Sequence, residues 1–225
     1  MKYRLVWILV LVLTCGGVLS AAPARAVITV GVSPSIVELS GKPGGTGTVD
    51  LNVFNQGDEA FDVEIVPETY DRATDRSRPE WLTPSVGTAH LDVGGQSVVT
   101  ISITIPDDTD PGGYYAIVAI RTVAGDGGEN ATGISGQLSV PFLITVEGKY
   151  KRKAEITQFA GFLELDGRLG FRAVANNDGE IHWKPASTLT VKKGDGSDYG
   201  TLEVDNSSVF PQTTSTLSST STLPV

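Results

Sequence analysis

Two stretches of this sequence carry the same pattern: residues 49–65 read VDLNVFNQGDEAFDVEI, and residues 169–183 read LGFRAVANNDGEIHW. In each, apolar and polar residues alternate along a strand, an Asn with Gly and Asp residues marks a turn, and a second strand follows. Asn55 and Asn176 are predicted to hold equivalent positions in the two copies. A repeat on this scale predicts two domains of one kind in tandem, each about the size of a β-sandwich.

The chain after residue 26 has a β pattern almost throughout. Apolar residues alternate with polar ones in residues 99–105 and in residues 138–146, so each of these strands has one buried face. Pro141 lies on the opposite face of the second strand, and its missing N–H predicts a sheet edge. With no sustained helical period, the sequence predicts an all-β protein, and the repeat predicts two tandem β-sandwich domains.

The N-terminus predicts export. Lys2 and Arg4 precede an apolar run from Leu5 to Leu13, and Ala24-Arg25-Ala26 fits a signal-peptidase site. Residues 1–26 are therefore predicted to be a signal peptide, which places the mature chain in an extracytoplasmic location: secreted, periplasmic or at the cell surface. Lipoprotein processing at Cys15 is the alternative.

Composition narrows the function classes. Removing residues 1–26 takes away three basic residues and no acidic one, which changes the formal charge from −9 to −12. This acidic balance argues against nucleic acid as a partner, because phosphates are bound by clustered Lys and Arg. The mature chain has no cysteine, so core burial must stabilise it without disulfides. No segment of the mature chain is apolar enough for a membrane span.

Residues 106–115 read PDDTDPGGYY, a polar turn closed by Pro-Gly and followed by tyrosine and an apolar strand. This order predicts a tyrosine corner, in which a tyrosine hydroxyl bonds back to nearby backbone. A calcium loop formed by Asp107, Asp108 and Asp110 is the alternative, but the spacing matches no defined ligand order.

Domain boundaries follow from these patterns. Residues 27–148 are predicted to form the first immunoglobulin-like domain, residues 149–153 a basic linker, and residues 154–225 a second domain with a Ser/Thr-rich tail. The linker reads KYKRK, and it is either a solvated connection or a contact for an anionic polymer. Its candidate contact residues are Lys149, Lys151, Arg152 and Lys153.

The loop from Pro67 to Trp81 is the strongest candidate for ligand binding, because it combines aromatic residues with both signs of charge. The alternative is that its aromatic residues only pin the loop to the sandwich. Its candidate binding residues are Tyr70, Arg72, Arg76, Arg78 and Trp81.

Catalysis is weakly supported. The mature chain has no thiol, no Gly-x-Ser-x-Gly motif and no Gly-rich phosphate loop. His90 is predicted to face outward on a short strand, and His182 to pack beside Trp183. We therefore expect no enzyme activity, no metal and no cofactor. A small secreted hydrolase with paired carboxylates is retained as a second alternative.

The sequence resembles bacterial exported proteins with tandem immunoglobulin-like domains, on the motifs Ser33-Pro34, KPGG at residues 42–45, VFNQG at residues 53–57 and PGGYY at residues 111–115. The nearest groups are the peptidoglycan-binding domain of WxL-interacting cell-surface proteins and, more distantly, periplasmic pilus chaperones. The resemblance implies an all-β fold of two tandem immunoglobulin-like (Fn3-like) β-sandwich domains and an extracytoplasmic binding or assembly role. The basic pair with which pilus chaperones hold a subunit's C-terminus is not recognisable here.

Two main hypotheses follow. The first is a non-enzymatic binding or adhesion module for cell-wall polymer or a partner surface protein. The second is a periplasmic assembly chaperone that acts by β-strand donation. The 72 residues from Ala154 to Val225 are also too few for a complete sandwich of about 100 residues. We expect the last strand or two to come from a longer chain or from another chain, and the apolar face with Phe171 and Val191 to be open without them.

Overall fold

The computed structural model describes residues 28–123, 136–186, 188–219 and 221–223. Within these ranges the chain forms strands joined by turns and two short 3-10 helices, so the predicted all-β class is confirmed. The predicted signal peptide lies outside the described residues. In the described part of the chain, no helix is long and apolar enough to cross a membrane.

The first domain is a sandwich of two sheets. One sheet has the order β1-β3-β7-β5 and the other the order β2-β9-β8-β4-β6. The strands are β1 (Val30–Ser33), β2 (Val37–Gly41), β3 (Thr46–Asn55), β4 (Phe61–Glu68), β5 (Leu82–Pro84), β6 (Thr88–Leu91), β7 (Gln96–Thr104), β8 (Gly112–Val123) and β9 (Gln137–Val146).

The alternation in the sequence places the core between these sheets. Leu51 of β3 and Ile101 of β7 point inward from the first sheet, and Ile120 of β8 and Phe142 of β9 point inward from the second. All four side chains are fully buried. Burying each of them stabilises the fold by about 1.5–3 kcal/mol relative to exposure.

The first strand region serves both sheets. β1 pairs antiparallel with β3 in one sheet, and β2 pairs parallel with β9 in the other. The chain changes sheet between them, where the Ser33–Pro34 peptide bond is cis. This crossover brings β2 alongside only part of β9.

The second domain is a smaller sandwich. A three-stranded sheet has the order β10-β11-β14, and β12 and β13 form a hairpin that packs on it. The strands are β10 (Ala154–Leu163), β11 (Leu169–Asn177), β12 (Thr188–Lys192), β13 (Asp198–Glu203) and β14 (Thr213–Ser218). The Ser/Thr-rich tail therefore contributes β14 to the sheet.

The repeated Asn is a buried clamp at the end of a strand in each domain. The Asn55 side chain accepts a hydrogen bond from the Gly57 N–H at 2.8 Å and donates to the Glu59 carbonyl at 2.7 Å and the Leu91 carbonyl at 3.2 Å. Each bond fixes a backbone group of the turn, which satisfies polar groups that burial would otherwise leave unpaired.

In the second domain the clamp is Asn177, so the predicted equivalence of Asn55 with Asn176 was wrong by one residue. Asn177 accepts from the Gly179 N–H at 2.9 Å and donates to the carbonyls of Ile181 at 2.9 Å and Val209 at 2.8 Å. The Asn176 side chain instead bonds Asp178 and Thr214. The pleat decides this outcome, because neighbouring residues of a strand face opposite sides of the sheet.

The open apolar surface of the second domain differs from the expected one. Phe171 is buried, and Val191 is half-buried against the same core. Phe159 of β10 stacks on Phe171 with ring centroids 5.3 Å apart and so covers it. The exposed apolar side chains are instead those of β10, where Ile156 and Phe159 are 47% and 60% exposed.

We predict that Asn177→Ala lowers the free energy of unfolding by about 2–4 kcal/mol, because it leaves several buried backbone groups without a partner. Asn176→Ala is the matched control, and its expected cost is below about 0.5 kcal/mol. Urea unfolding followed by circular dichroism measures both. Equal losses in the two variants would contradict the assignment of the clamp to Asn177.

Candidate functional site

The first half of β9 is a free sheet edge. β8 pairs with β9 along its whole length, from Arg121 opposite Gln137 to Gly112 opposite Val146. On the other side, β2 covers only the second half, from Phe142 to Val146. Among the described residues, no strand is therefore hydrogen-bonded to residues 137–141 on that side.

The hydrogen bonds of β8 show which backbone groups point into the open edge. The Thr122 N–H donates to the Gly136 carbonyl at 2.9 Å, so Gly136 faces β8. Because the two edges of an antiparallel strand alternate, Gln137, Ser139 and Pro141 face outward. The free edge thus offers two N–H donors and three carbonyl acceptors, and the predicted edge position of Pro141 agrees with this geometry.

The two domains meet where the chain enters β8. The Gly113 N–H donates to the Glu180 carbonyl at 2.7 Å, across the domain boundary. A Cβ atom at Gly113 would lie 2.3 Å from the Tyr115 hydroxyl and 3.1 Å from the Ile181 Cα. Only glycine permits this close approach of the backbone of domain two to β8.

An aromatic cluster fills the boundary between the domains. Tyr115, Leu143 and Phe210 are buried together. Phe210 packs edge-on against Tyr115 at 4.9 Å and against Tyr70 at 5.0 Å between ring centroids. Such aromatic pairs add about 0.5–1.5 kcal/mol each beyond their buried area, so the cluster holds the domains in one arrangement.

A pocket of about 270 Å³ opens beside this cluster, at the point where β2 begins to cover β9. Ile36 and Leu143 line it from the first domain, and Ser208 and Lys184 from the second. Lys184 is paired with Glu38. Arg72 also lines the pocket and makes no ion pair within hydrogen-bonding distance among the described residues. Hydrogen bonds from Ser207 lower the pKa of the Asp205 carboxyl, and the charge of Arg72 lies near enough to help lower it.

The structure divides the predicted loop residues into two groups. Tyr70 and Trp81 pin the loop: Tyr70 packs in the aromatic cluster, and Trp81 is 5% exposed with its ring 4.7 Å from that of Tyr114. The loop itself contains two 3-10 helices, at Asp71–Arg76 and Pro79–Trp81. The pinning role that the sequence left as an alternative describes both aromatic residues.

The three arginines of the loop differ in accessibility. The guanidinium groups of Arg76 and Arg78 lie 5.7 Å and 5.4 Å from the centroid of the Tyr114 ring. Arg78 also donates to the Ser77 carbonyl at 2.6 Å. Of the three, Arg72 alone is exposed, and it lines the cleft, which leaves it as the loop residue best placed to meet a partner.

The basic side chains of the linker are exposed, and two of them are already bonded within the chain. Lys153 pairs with Asp178 at 2.6 Å, and Arg152 donates to the Tyr150 hydroxyl at 2.8 Å. Both bonds are made within the linker or the turn beside it. The ammonium groups of Lys149 and Lys151 make no ion pair within the described part of the chain.

Residues considered for other chemistry have structural roles. The Tyr114 hydroxyl donates to the Asp110 carbonyl at 2.9 Å, as a tyrosine corner requires. His90 is exposed, as predicted, and bonds Asp62 at 2.6 Å, which raises the pKa of His90. Within the described residues, no group of three or more His, Cys, Asp or Glu side chains is arranged to hold a metal ion.

The fold is similar to those of solved pilus-system proteins. The chaperone DraB of E. coli is 13% identical over 84% of this chain and 85% of that chain, with a TM-score of 0.54. A chain of the complex between the Salmonella enterica SafA pilin and the SafB chaperone is 15% identical over 86% of this chain and 85% of that chain, also with a TM-score of 0.54. At these identities the likeness establishes the tandem immunoglobulin-like fold.

No family model matches the sequence. The curated proteins likewise give no match. The resemblance to WxL-interacting proteins therefore stays a prediction.

His182 gives this interface a pH dependence. Its ring packs edge-on against Tyr115 at 5.9 Å, and burial lowers its pKa, with Lys184 acting in the same direction and Glu38 opposing it. The unfolded chain, with a histidine pKa of about 6.5, therefore binds the proton more tightly than the folded chain. His182 therefore leaves the free energy of unfolding unchanged well above about pH 6.5 and lowers it as the pH drops below that value.

We predict that His182→Phe, which keeps an aromatic ring against Tyr115, reduces the loss of stability between pH 7 and pH 5. His90→Gln is the matched control with the opposite sign, since the raised pKa of His90 stabilises the fold at the acidic end. Urea unfolding at pH 5, 6, 7 and 8 measures both. A His182→Phe profile as steep as that of the wild type would contradict the role of His182.

Proposed function

We propose that this protein is an extracytoplasmic assembly chaperone that binds a partner protein by adding the free half of β9 to the partner's sheet. The observation that carries the proposal is the unpaired backbone at Gln137, Ser139 and Pro141, in a strand that is otherwise fully paired. The fold it shares with DraB, a solved chaperone, supports the same function.

The free edge suits strand addition. Backbone groups at an open edge form a template for another strand, and this is the general basis of recognition by β-augmentation. β9 is anchored on its other side by β8 and by the buried side chains of Val140 and Phe142. Because the strand is held in place before a partner arrives, binding costs little ordering of this chain.

The cleft adds a second contact at the end of the added strand. A strand running along residues 137–141 reaches the start of β2, where the pocket bordered by Arg72 opens. An exposed guanidinium without an ion pair favours an anionic group of the partner, such as a carboxylate. In this proposal Arg72 is the residue of the Pro67–Trp81 loop that binds the anionic group. Lys149 and Lys151 supply further positive charge on the exposed linker.

Several predictions combine in this function. Export through residues 1–26 would bring the chain to the compartment where surface proteins assemble, and a partner protein replaces cell-wall polymer as the ligand. The groups proposed to bind the partner are the open backbone of β9 and the charge of Arg72, so the proposal includes no catalytic step.

We predict that Ser139→Pro weakens partner binding about 10- to 100-fold. The substitution removes an N–H from the open edge and leaves a partner carbonyl unpaired, at a cost of about 1–3 kcal/mol. Ser139→Ala is the control, because it removes the exposed hydroxyl and keeps the N–H. A photo-crosslinking residue at position 139, used in the native cell envelope, identifies the partner.

Titration of the purified partner against the two variants then measures the effect. Equal dissociation constants for Ser139→Pro and Ser139→Ala would refute strand addition at β9. Circular dichroism should give both variants the wild-type spectrum, because the nitrogen of residue 139 points away from β8.

We predict that Arg72→Glu weakens binding of the same partner about fivefold, as expected for loss of about 1 kcal/mol at a solvent-exposed charge. Lys193→Glu is the control: it makes the same change of charge in the hairpin between β12 and β13. The difference between the variants should shrink as salt concentration rises. Identical affinities would place the anionic contact elsewhere, without affecting the case for β9.

A further inference from the structure

The first strand of the second domain, β10, is an exposed edge along its whole length. It spans Ala154–Leu163 and pairs with β11 on one side. The other side faces no strand in the part of the chain that the structure describes. Every residue of β10 except Phe162 is exposed.

This edge carries an apolar face. Phe159 is opposite Ala173 in the ladder, and Ala173 points into the core of the domain. The side chains of Ile156, Phe159 and Leu163 are 47%, 60% and 64% exposed, and Leu165 in the next turn is fully exposed. The cause is the small second sheet, whose two strands pack over the β11 side of the domain and leave β10 uncovered.

A long, exposed and apolar edge strand is a template for pairing with another chain. Native proteins commonly protect such an edge with a charge or a proline within the strand. Within β10 the single charged residue is Glu155, near one end, and the strand has no proline. The central part of β10 is therefore suited to contact rather than protected from it.

Charges at the two ends of β10 indicate the partner. The basic linker, with Lys151 and Arg152, precedes the strand, and Glu164 and Asp166 follow it. All four residues are exposed. Arg168 pairs with Asp166 at 3.5 Å and offsets one of the two negative charges. One end of the strand is therefore cationic and the other anionic.

We propose that β10 pairs antiparallel with β10 of a second copy of this chain to form a symmetric dimer. Antiparallel pairing reverses the order of the ends, so the basic end of each copy lies beside the acidic end of the other. The twofold axis makes this contact twice, as in an isologous interface. The apolar side chains of the two copies then form one continuous surface, and the open backbone groups of both edges are paired.

The net charge of the mature chain does not prevent this contact. Repulsion between two acidic chains is screened beyond about 8 Å at physiological ionic strength. In the antiparallel arrangement the charges at the ends of β10 are of opposite sign in the two copies, so they oppose that repulsion. The dimer uses β10 and the linker residues Lys151 and Arg152, while the proposed donor edge of β9 lies in the first domain. Of the residues proposed for partner binding, only Lys151 also takes part in the dimer.

The first experiment measures the mass of the full mature chain by sedimentation velocity over a range of about 1–100 μM. We expect a dimer that dissociates on dilution. Phe159→Asp should raise the dissociation constant at least tenfold. Val98→Asp is the matched control, because Val98 is 59% exposed on β7 in the first domain and should leave the dimer unchanged.

The second experiment exchanges the charges at the ends. The variant K151Q/R152E removes the basic end, and E164K/D166N removes the acidic end by the same number of charges. Each variant alone should be a monomer, because like charges then meet at both contacts. An equimolar mixture should form a heterodimer, which no unfolded variant would do.

A wild-type chain that stays monomeric up to 100 μM would overturn the proposal and leave the β10 face to another chain or another segment. A dimer that survives both Phe159→Asp and the charge changes would overturn it as well, because the interface would lie elsewhere. Failure of the two charge variants to associate in a mixture, with Val98→Asp still dimeric, would refute the antiparallel arrangement.

Discussion

The arrangement of this molecule depends on the Asn177 clamp at the end of β11. By holding the Gly179 N–H and the carbonyls of Ile181 and Val209, the Asn177 amide fixes the turn over residues 177–181. That turn presents Glu180, whose carbonyl accepts the Gly113 N–H and whose carboxylate accepts the Lys151 N–H at 2.6 Å. One buried side chain thus shapes a turn, docks it on β8 and orients the linker between the domains. The same clamp at Asn55 has a local role, because its turn lies away from the boundary.

The docked domains position both proposed surfaces. The cluster around Tyr115 and Phe210 fixes where the cleft opens relative to β9, so the free edge and the exposed Arg72 follow one another along the path of an added strand. In the second domain the small hairpin of β12 and β13 determines which apolar residues remain exposed. Both surfaces therefore result from incomplete coverage of a strand that is well anchored on its other side.

The sequence predicted the strands well because alternation of apolar and polar residues is a local property. It identified the tyrosine corner and the edge position of Pro141 for the same reason: the signals lie within a few residues. It misplaced the clamp by one residue, since two adjacent asparagines differ only in which face of the sheet they occupy. Pairing with β11 extends β10 across a bulge near Thr157 as far as Leu163, and no local pattern in the sequence marks that end.

The functional surfaces were harder to predict because they depend on contacts between distant segments. The pinned position of Tyr70 depends on Phe210, which is 140 residues away along the chain and in the other domain. The free half of β9 depends on where β2 begins, and the sequence of β9 alone does not contain that limit. The exposure of Phe159 depends on the width of the opposing sheet. A short stretch of sequence does not contain the information that determines any of these three features.

Pro141 also limits how far a ladder can extend along β9. A strand that pairs with Gln137 and Ser139 finds no donor at the third outward position, immediately before β2 begins. The ladder therefore stays short and has a fixed end, so its strength is limited by geometry instead of growing with the length of the incoming strand. A ladder with so few hydrogen bonds can hold another polypeptide and still release it.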